Sequence, residues 1–185
     1  MRLAVYLSGE IHTNWREEII NGAKESGLDI DFSSAISDHE ASDAAGDCLG
    51  TESNQYWRDH KSAKVNAIRT KTLIEKSDVV IIRFGDKYKQ WNAAFDAGYC
   101  AALGKPYITL HGEDIVHPLK EVDAQAMAWA TTSAQVVEIL KYVAEKRPSI
   151  PVATSSALVI SSILDSLLLV KDVKNSLVIK SKSFN

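Results

Sequence analysis

Hydrophobic residues along the chain form short runs that alternate with segments of helical periodicity. The run 78–84, DVVIIRF, is continuously apolar, which is typical of a strand that helices cover on both faces. Because strands and helices alternate, the connections must cross over, and the sheet is expected to be mostly parallel. We therefore predict a flavodoxin-like three-layer α/β sandwich with strand order 2-1-3-4-5. The five predicted strands cover residues 3–7, 28–32, 78–84, 107–110 and 127–131.

Helices are predicted from Asn14 to about residue 26, over 62–76, over 92–103, and from a cap at Thr132 to about residue 146. The pairs Asn14 with Glu17 and Thr132 with Gln135 have the spacing of capping boxes. Residues 33–61 show no clear periodicity and exceed the usual length of a structureless connection, so this segment is either a functional loop or contains a short helix. Residues 111–126 read as a loop.

The composition is that of a globular protein with one main core. The chain has 185 residues, 45% of them hydrophobic, and a net charge of -3. We expect a domain over residues 1–147 and an extension over 148–185, which contains nine serines and is either a packing helix or poorly ordered. Its apolar run is interrupted well short of the roughly 20 residues that span a bilayer.

Charge and motifs exclude several function classes. No basic patch favours nucleic acid or an anionic membrane as a partner. Cys48 and Cys100 have neither disulfide-scaffold nor metal-ligand spacing, and the scattered Asp and His residues of 33–61 lack a metal pattern. The N-terminus lacks the pattern of a signal peptide, so a cytoplasmic location is expected. No dinucleotide or P-loop motif is present, and we predict no cofactor and no metal.

The sheet predicts where a ligand binds. In open parallel sheets the crevice lies beyond the carboxyl ends of the strands, beside the switch in strand order. Ser8, Gly9 and Glu10 follow strand 1, and Asp86 follows strand 3, so these residues are expected to face one another. Glu10 and His12 either contact a substrate or cap the first helix.

The segment after strand 3 carries further candidates. Its helix is rich in Ala and Gly, which allows close packing and brings Asp96 near the strand ends; the alternative is an acid placed for the helix dipole. Gln90, Trp91 and Asn92 put two amides beside an aromatic plane, which suits a flat base and sugar hydroxyls, although Trp91 could also be a core residue.

Three segments together resemble the nucleoside 2-deoxyribosyltransferase superfamily, most closely its YtoQ-type branch. They are YLSGE, SDVVIIRFGD and FDAGYCAALGKP, and the likeness covers about residues 1–145. The resemblance implies a flavodoxin-like fold and a carboxylate nucleophile, Asp96, that attacks C1′ of a glycosyl group. It further implies that Tyr6 hydrogen-bonds this nucleophile, that Ser8 and Gly9 lie beside the sugar, that Asp86 meets the base, and that the protein forms a homodimer or larger homo-oligomer.

The chain departs from the family pattern in three places, one of which is the segment Gln90-Trp91-Asn92-Ala93, where the family has Asp-x-Gly-Ser/Thr before the nucleophile. Asp96 stands where the family has Glu, and this side chain is one methylene, or roughly 1 to 1.5 Å, shorter. Glu10 stands where the family has Pro. The predicted function is N-glycosyl transfer or N-glycoside hydrolysis on a small-molecule nucleoside or nucleotide. The alternatives are an inactive module that binds or senses such a ligand, and a different hydrolase on the same fold.

Two further groups of residues have open interpretations. Trp15, Tyr56 and Trp57 either line the pocket or pack in the core. Four basic side chains either meet a 5′-phosphate or form a solvated helix face; they are Arg58, Lys61, Lys64 and Arg69.

Overall fold

The computed structural model describes residues 2–87 and 90–145, and it shows five parallel strands in one sheet. The order is β2-β1-β3-β4-β5, and each neighbouring pair is parallel, which confirms the predicted flavodoxin-like topology. The predicted extension, residues 148–185, lies outside the described residues. The strands are β1 (Leu3–Gly9), β2 (Ile30–Ser34), β3 (Val79–Arg83), β4 (Tyr107–Leu110) and β5 (Ala128–Ala130).

Helices cover both faces of the sheet. Side chains alternate along β1, so Val5 and Leu7 pack on the side of α1 and α6, whereas Tyr6 packs on the side of α3, α4 and α5. β3 alternates in the same way between two apolar clusters, as its continuous hydrophobic run predicts. The α-helices are α1 (Trp15–Glu25), α2 (His39–Asp43), α3 (Gln55–Lys76), α4 (Trp91–Leu103), α5 (Val116–Asp123) and α6 (Ser133–Ala144).

The segment 33–61 contains more structure than its pattern indicates. It holds α2, a 3-10 helix over Ala44–Leu49 and the first turns of α3, which begins at Gln55 and not at residue 62. Asn54 caps α3 by accepting a hydrogen bond from the Trp57 N–H. These first turns bond to the 3-10 helix through polar side chains, Ser62 to the Gly46 N–H and Arg58 to Asp47, which is why they lack the apolar periodicity that marks the rest of α3.

The region 111–126 also contains a helix, α5, where a loop was predicted. Pro118 is the third residue of α5, where a missing N–H costs nothing, but in the sequence it reads as a break.

The capping box of Thr132 with Gln135 is confirmed. The one predicted at Asn14 is wrong, because the Asn14 side chain makes no capping hydrogen bond. Strand β2 begins two residues later than predicted.

The small residues of α4 allow close packing on one side only. Ala93 and Ala97 are buried against the sheet, as predicted, and Asp96 lies between them along the same side. Gly98 and Ala102 are exposed on the outer side, so they do not contribute to this packing. No helix in ranges 2–87 and 90–145 is long and apolar enough to cross a membrane.

Candidate ligand cleft at the carboxyl ends of β1 and β3

An open cleft of about 1120 Å³ lies over the end of β1, with α3 on one side and α4 on the other. Its position beyond the carboxyl end of β1 is where ligands bind in sheets of this topology. Of the ten site residues predicted from the sequence, eight line the cleft and Tyr6 lies behind it. The lining includes Ser8, Gly9, Glu10, His12, Gln90, Trp91, Asn92 and Asp96.

Asp96 is the carboxylate at the floor of the cleft. It is 9% exposed, and its Oδ2 accepts a hydrogen bond of 2.6 Å from Ser8 Oγ. Burial raises the pKa of Asp96, and the Ser8 hydrogen bond opposes this effect without cancelling it. No basic side chain within the described part of the chain forms an ion pair with Asp96. The cleft therefore contains a poorly solvated carboxyl group held by one neutral donor.

Tyr6 lies directly behind the cleft and is fully buried. Its hydroxyl makes no hydrogen bond of acceptable geometry to any residue in 2–87 or 90–145, so the predicted hydrogen bond to Asp96 is not formed. Burial raises the pKa of Tyr6, and the nearby charge of Asp96 adds to the rise. The Ser8 hydroxyl thus makes the contact with the acid that the resemblance implies for Tyr6.

Gly9 makes the tight turn after β1. Its φ is +108°, and an added Cβ would lie 2.1 Å from the backbone oxygen of Arg83 on β3. Only glycine fits both the backbone conformation and the space. This turn holds the end of β1 against β3 and fixes the position of Ser8, the preceding residue.

Glu10 closes the next turn and does not point a free carboxylate into the cleft. Its side chain accepts hydrogen bonds from the His12 N–H, at 2.6 Å, and from the Thr13 hydroxyl. Burial would raise the pKa of Glu10, but these hydrogen bonds outweigh burial and lower it. Of the two interpretations from sequence, the geometry favours the structural one. His12 is exposed at the cleft, where its ring lies 5.7 Å from that of His39.

Gln90 organises the loop before α4. Its backbone has a left-handed φ of 46°, its Oε1 accepts from the Gly85 N–H at 3.0 Å, and its Nε2 donates to the carbonyls of Gly85 and Lys87. Because the amide is engaged within this loop, the geometry does not support the predicted contact of Gln90 with a sugar hydroxyl.

Two aromatic side chains project from one face of α4 into the cleft. Trp91 is 72% exposed and Phe95 is 65% exposed, so Trp91 is not a core residue. Their spacing of four residues places them on the same side of the helix. Phe95 was missed from the sequence, although its spacing from Trp91 was visible there. Asn92 is exposed beside them.

Asp86 is exposed and does not belong to the lining of this cleft. Its predicted contact with a base therefore has no support from the described geometry. Among the four basic candidates, only Arg69 lines the cleft. Arg58 pairs with Asp47 at 2.9 Å and Lys61 with Glu52 at 2.8 Å, which makes them part of the surface around α3.

The three further aromatic candidates divide in two groups. Trp15 is a core residue, 3% exposed, whereas Tyr56 and Trp57 are 68% and 50% exposed and contact each other outside the cleft.

Cys100 is buried one turn after Asp96, and burial together with the Asp96 charge raises its pKa to about 12. In the ranges the structure describes, no group of three His, Cys, Asp or Glu side chains is arranged to hold a metal ion.

Fold and cleft together define a flavodoxin-like α/β protein whose crevice opens at the carboxyl ends of β1 and β3. The family described as nucleoside 2-deoxyribosyltransferase YtoQ matches residues 6–144. The chain belongs to this family, which confirms the resemblance and makes it a nucleoside 2-deoxyribosyltransferase-like protein. The "Uncharacterized protein YtoQ" of Bacillus subtilis (strain 168) is 43% identical over 146 residues, covering 78% of this chain and 99% of its own.

Solved structures are similar to the chain in fold. A conserved protein from Enterococcus faecalis V583 has a TM-score of 0.54 at 11% identity, covering 77% of this chain and 99% of its own. A 2-deoxyribosyltransferase from Bacillus psychrosaccharolyticus has a TM-score of 0.46 at 17% identity, covering 72% and 90% of the two chains. At these identities the likeness concerns the fold alone.

Proposed function

We propose that the protein cleaves the N-glycosidic bond of a small-molecule nucleoside or nucleotide, with Asp96 as the nucleophile. The observation that carries this proposal is the environment of Asp96. It is buried at the floor of the cleft, and within residues 2–87 and 90–145 its side chain accepts one hydrogen bond, from Ser8, and pairs with no cation. A carboxylate in a poorly solvated site stabilises an oxocarbenium-like centre more strongly than one in water. The YtoQ family description supports the same chemistry.

The reaction proceeds in two displacements. A carboxylate oxygen of Asp96 forms a bond to C1′ while the bond from C1′ to the base nitrogen breaks, and the electron pair leaves with the base, which takes up a proton. The product is a glycosyl ester of Asp96. In the second step a new base or a water molecule attacks C1′ and releases a proton to solvent, the ester bond breaks and the carboxylate is restored. Transfer and hydrolysis differ only in this second nucleophile.

The hydrogen bond from Ser8 has a defined part in this mechanism. It occupies Oδ2 at 2.6 Å, whereas Oδ1 accepts no hydrogen bond from the described residues. We assign Oδ1 as the attacking atom. Ser8 orients the carboxylate and lowers its pKa, so a larger fraction is ionised at neutral pH. Gly9 holds Ser8 in place through its tight turn.

The aromatic side chains of α4 suit the leaving base. Trp91 and Phe95 offer two exposed rings on the side of the cleft where Asp96 lies. Stacking on an aromatic ring contributes about 1 to 3 kcal/mol per base in proteins that bind nucleobases. The Asn92 side chain is exposed in the cleft lining, where its amide can reach a base edge or a hydroxyl.

A panel of ribo- and deoxyribonucleosides and their 5′-monophosphates, with and without an acceptor base, tests this proposal. Free base is measured by chromatography beside Asp96→Asn. Base release or exchange that the variant lacks supports the proposal and identifies the substrate class. No release from any member, or equal release by the variant, contradicts it for these substrates.

The second candidate function is a module that binds such a ligand without turnover. It is favoured by two observations: the raised pKa of Asp96, which disfavours the carboxylate, and the absence of a hydrogen bond from Tyr6. Calorimetry with the same panel separates the two candidates, because binding without base release is the result expected for this alternative. Assembly as a homo-oligomer stays a prediction, and sedimentation velocity tests it.

A further inference from the structure

Arg16 sits in the first turn of α1 and is buried, with 7% exposure. Its Nη1 donates to the Glu10 carbonyl at 2.5 Å and its Nη2 donates to the Gly9 carbonyl at 3.1 Å. The indole N–H of Trp15 donates to the same Glu10 carbonyl at 2.9 Å, and the guanidinium lies 4.5 Å from the Trp15 ring centroid. Three side-chain donors therefore converge on two consecutive carbonyls of the turn after β1.

This placement is costly for the fold. A cation near a helix N-terminus faces the positive end of the helix dipole, and a buried charge loses hydration. No carboxylate in the described part of the chain pairs with Arg16, and its Nε atom has no partner there. Burial accordingly lowers the pKa of Arg16. A contribution to the stability of α1 therefore does not explain why an arginine is buried at position 16.

The turn that Arg16 holds connects directly to Asp96. Gly9 precedes Glu10 in this turn and is pressed against the backbone of Arg83 on β3. Ser8 comes immediately before Gly9 and donates to Asp96 Oδ2 at 2.6 Å. A shift of the Gly9 and Glu10 carbonyls would move Ser8, and hydrogen bonds to a carboxylate weaken steeply with distance and angle.

We infer that Arg16 is a positioning residue, which clamps the Gly9–Glu10 turn so that the Ser8 hydroxyl stays bonded to Asp96. Its kinetic consequence rests on the proposed function, but its structural consequence does not. Arginine is required because its planar fork reaches two carbonyls at once, whereas lysine offers one point of charge. Trp15 contributes a third donor to the same turn.

The test measures the titration of the Asp96 side-chain carboxyl by carbon-13 NMR, assigned with Asp96→Asn. Three variants are compared with the unmodified protein: Arg16→Lys, Ser8→Ala and, as a matched control, Arg2→Lys. Arg2 is an exposed arginine that pairs with Asp29 and Asp31. The other titratable side chains that interact with Asp96 are Tyr6 on β1 and Cys100 on α4, and all three variants retain them.

We expect the Asp96 midpoint to move to higher pH in Ser8→Ala and in Arg16→Lys, and to stay in place in Arg2→Lys. If Arg16→Lys is folded and its Asp96 midpoint equals that of the unmodified protein, the inference is wrong, whether or not its melting temperature falls. An unchanged midpoint in Ser8→Ala also overturns it, because the hydrogen bond would then not control Asp96.

Two further readouts keep the test decisive. If Arg16→Lys does not fold, Trp15→Phe removes one donor to the Glu10 carbonyl and keeps an aromatic ring; a smaller upward shift supports the clamp, and no shift contradicts it. With a substrate in hand, we expect Arg16→Lys to lower kcat about tenfold or more with KM little changed, since small displacements at a reacting centre act on rate. The titration needs no substrate, so it can succeed or fail independently of glycosyl transfer.

Discussion

Two aspartates near the same edge of the sheet have opposite surroundings. Asp123, at the end of α5, pairs with His111, which follows β4 and is fully buried. The distance from His111 Nε2 to Asp123 Oδ2 is 3.1 Å. The other ring nitrogen of His111 lies 2.8 Å from the Gly112 carbonyl, and the ring stacks on Trp129. Each ring nitrogen of His111 therefore lies within hydrogen-bond distance of an oxygen atom. Among the residues that the structure describes, the Asp96 side chain has one hydrogen-bond partner, the Ser8 hydroxyl.

The difference supports our interpretation of Asp123 as a structural acid and our proposal of Asp96 as a functional one. The Asp123 carboxylate lies within hydrogen-bond distance of the His111 ring, and this contact connects α5 to the end of β4. Asp96 has one carboxylate oxygen in the cleft that accepts no hydrogen bond from residues 2–87 or 90–145, and such local deficits are expected where a protein does chemistry. The comparison predicts that changing Asp123 affects stability and that changing Asp96 affects activity.

The largest expected effect is on turnover. Asp96→Asn keeps the shape of the side chain and removes its nucleophilic carboxylate, so we expect base release to fall at least about 10³-fold. Asp123→Asn is the matched control and should retain turnover at a temperature where it is folded. Equal losses in the two variants would show that the distinction between the acids is false.

The second effect is on the free energy of unfolding. Asp123→Asn removes the charge that faces the His111 ring, which stays buried, so we expect a loss of about 2 to 3 kcal/mol in urea denaturation. Asp96→Asn, measured alongside, should be neutral or more stable by about 1 kcal/mol, as is common when a functional acid is removed. A destabilised Asp96→Asn with an unaffected Asp123→Asn would reverse the assignment.

A smaller effect concerns the aromatic rings. We expect Trp91→Ala to raise KM about five- to tenfold, which corresponds to roughly 1 kcal/mol of lost base stacking. Trp57→Ala is the control, because Trp57 is also exposed but lies outside the cleft. Steady-state kinetics on both variants decide the point, and similar KM values for the two would exclude Trp91 from base recognition.

The smallest effect is a pH dependence of stability. Because the pKa of Asp96 is raised from its ordinary 3.8, the folded state holds this proton more tightly than the unfolded state. The contribution of Asp96 to stability is therefore present at low pH and is lost as the pH rises through the folded pKa. The advantage of Asp96→Asn over the unmodified protein should grow from acidic to neutral pH in urea titrations; an advantage that shrinks would mean that the pKa is lowered.

The sheet was predictable because its strands carry local signals. The run DVVIIRF is buried on both faces, and Thr132 with Gln135 forms the capping box that the spacing predicts. The start of α3 and the whole of α5 were not predictable in this way. The first is held to a 3-10 helix by polar side chains, and the second contains a proline that reads as a break.

The position of the candidate cleft was predictable from the sequence, whereas the roles of its residues stay predictions. Strand order and the resemblance place Ser8 and Asp96 beside one cleft, and the structure brings them to 2.6 Å. The structural roles of Gln90 and Arg16 depend on loop conformations, and loops leave no periodic pattern of residues in the sequence. Gln90 engages its own loop, and Arg16 donates to carbonyls seven and six residues before it. Residue type alone does not distinguish these uses from ligand binding.

Mass spectrometry of the intact protein, quenched during reaction with a substrate from the nucleoside panel, tests the central claim most directly. We predict a mass increase equal to one glycosyl group, located by proteolysis to the peptide that contains Asp96 and absent from Asp96→Asn. An adduct on another residue, or base release by Asp96→Asn at the rate of the unmodified protein, would contradict the assignment of Asp96 as the nucleophile.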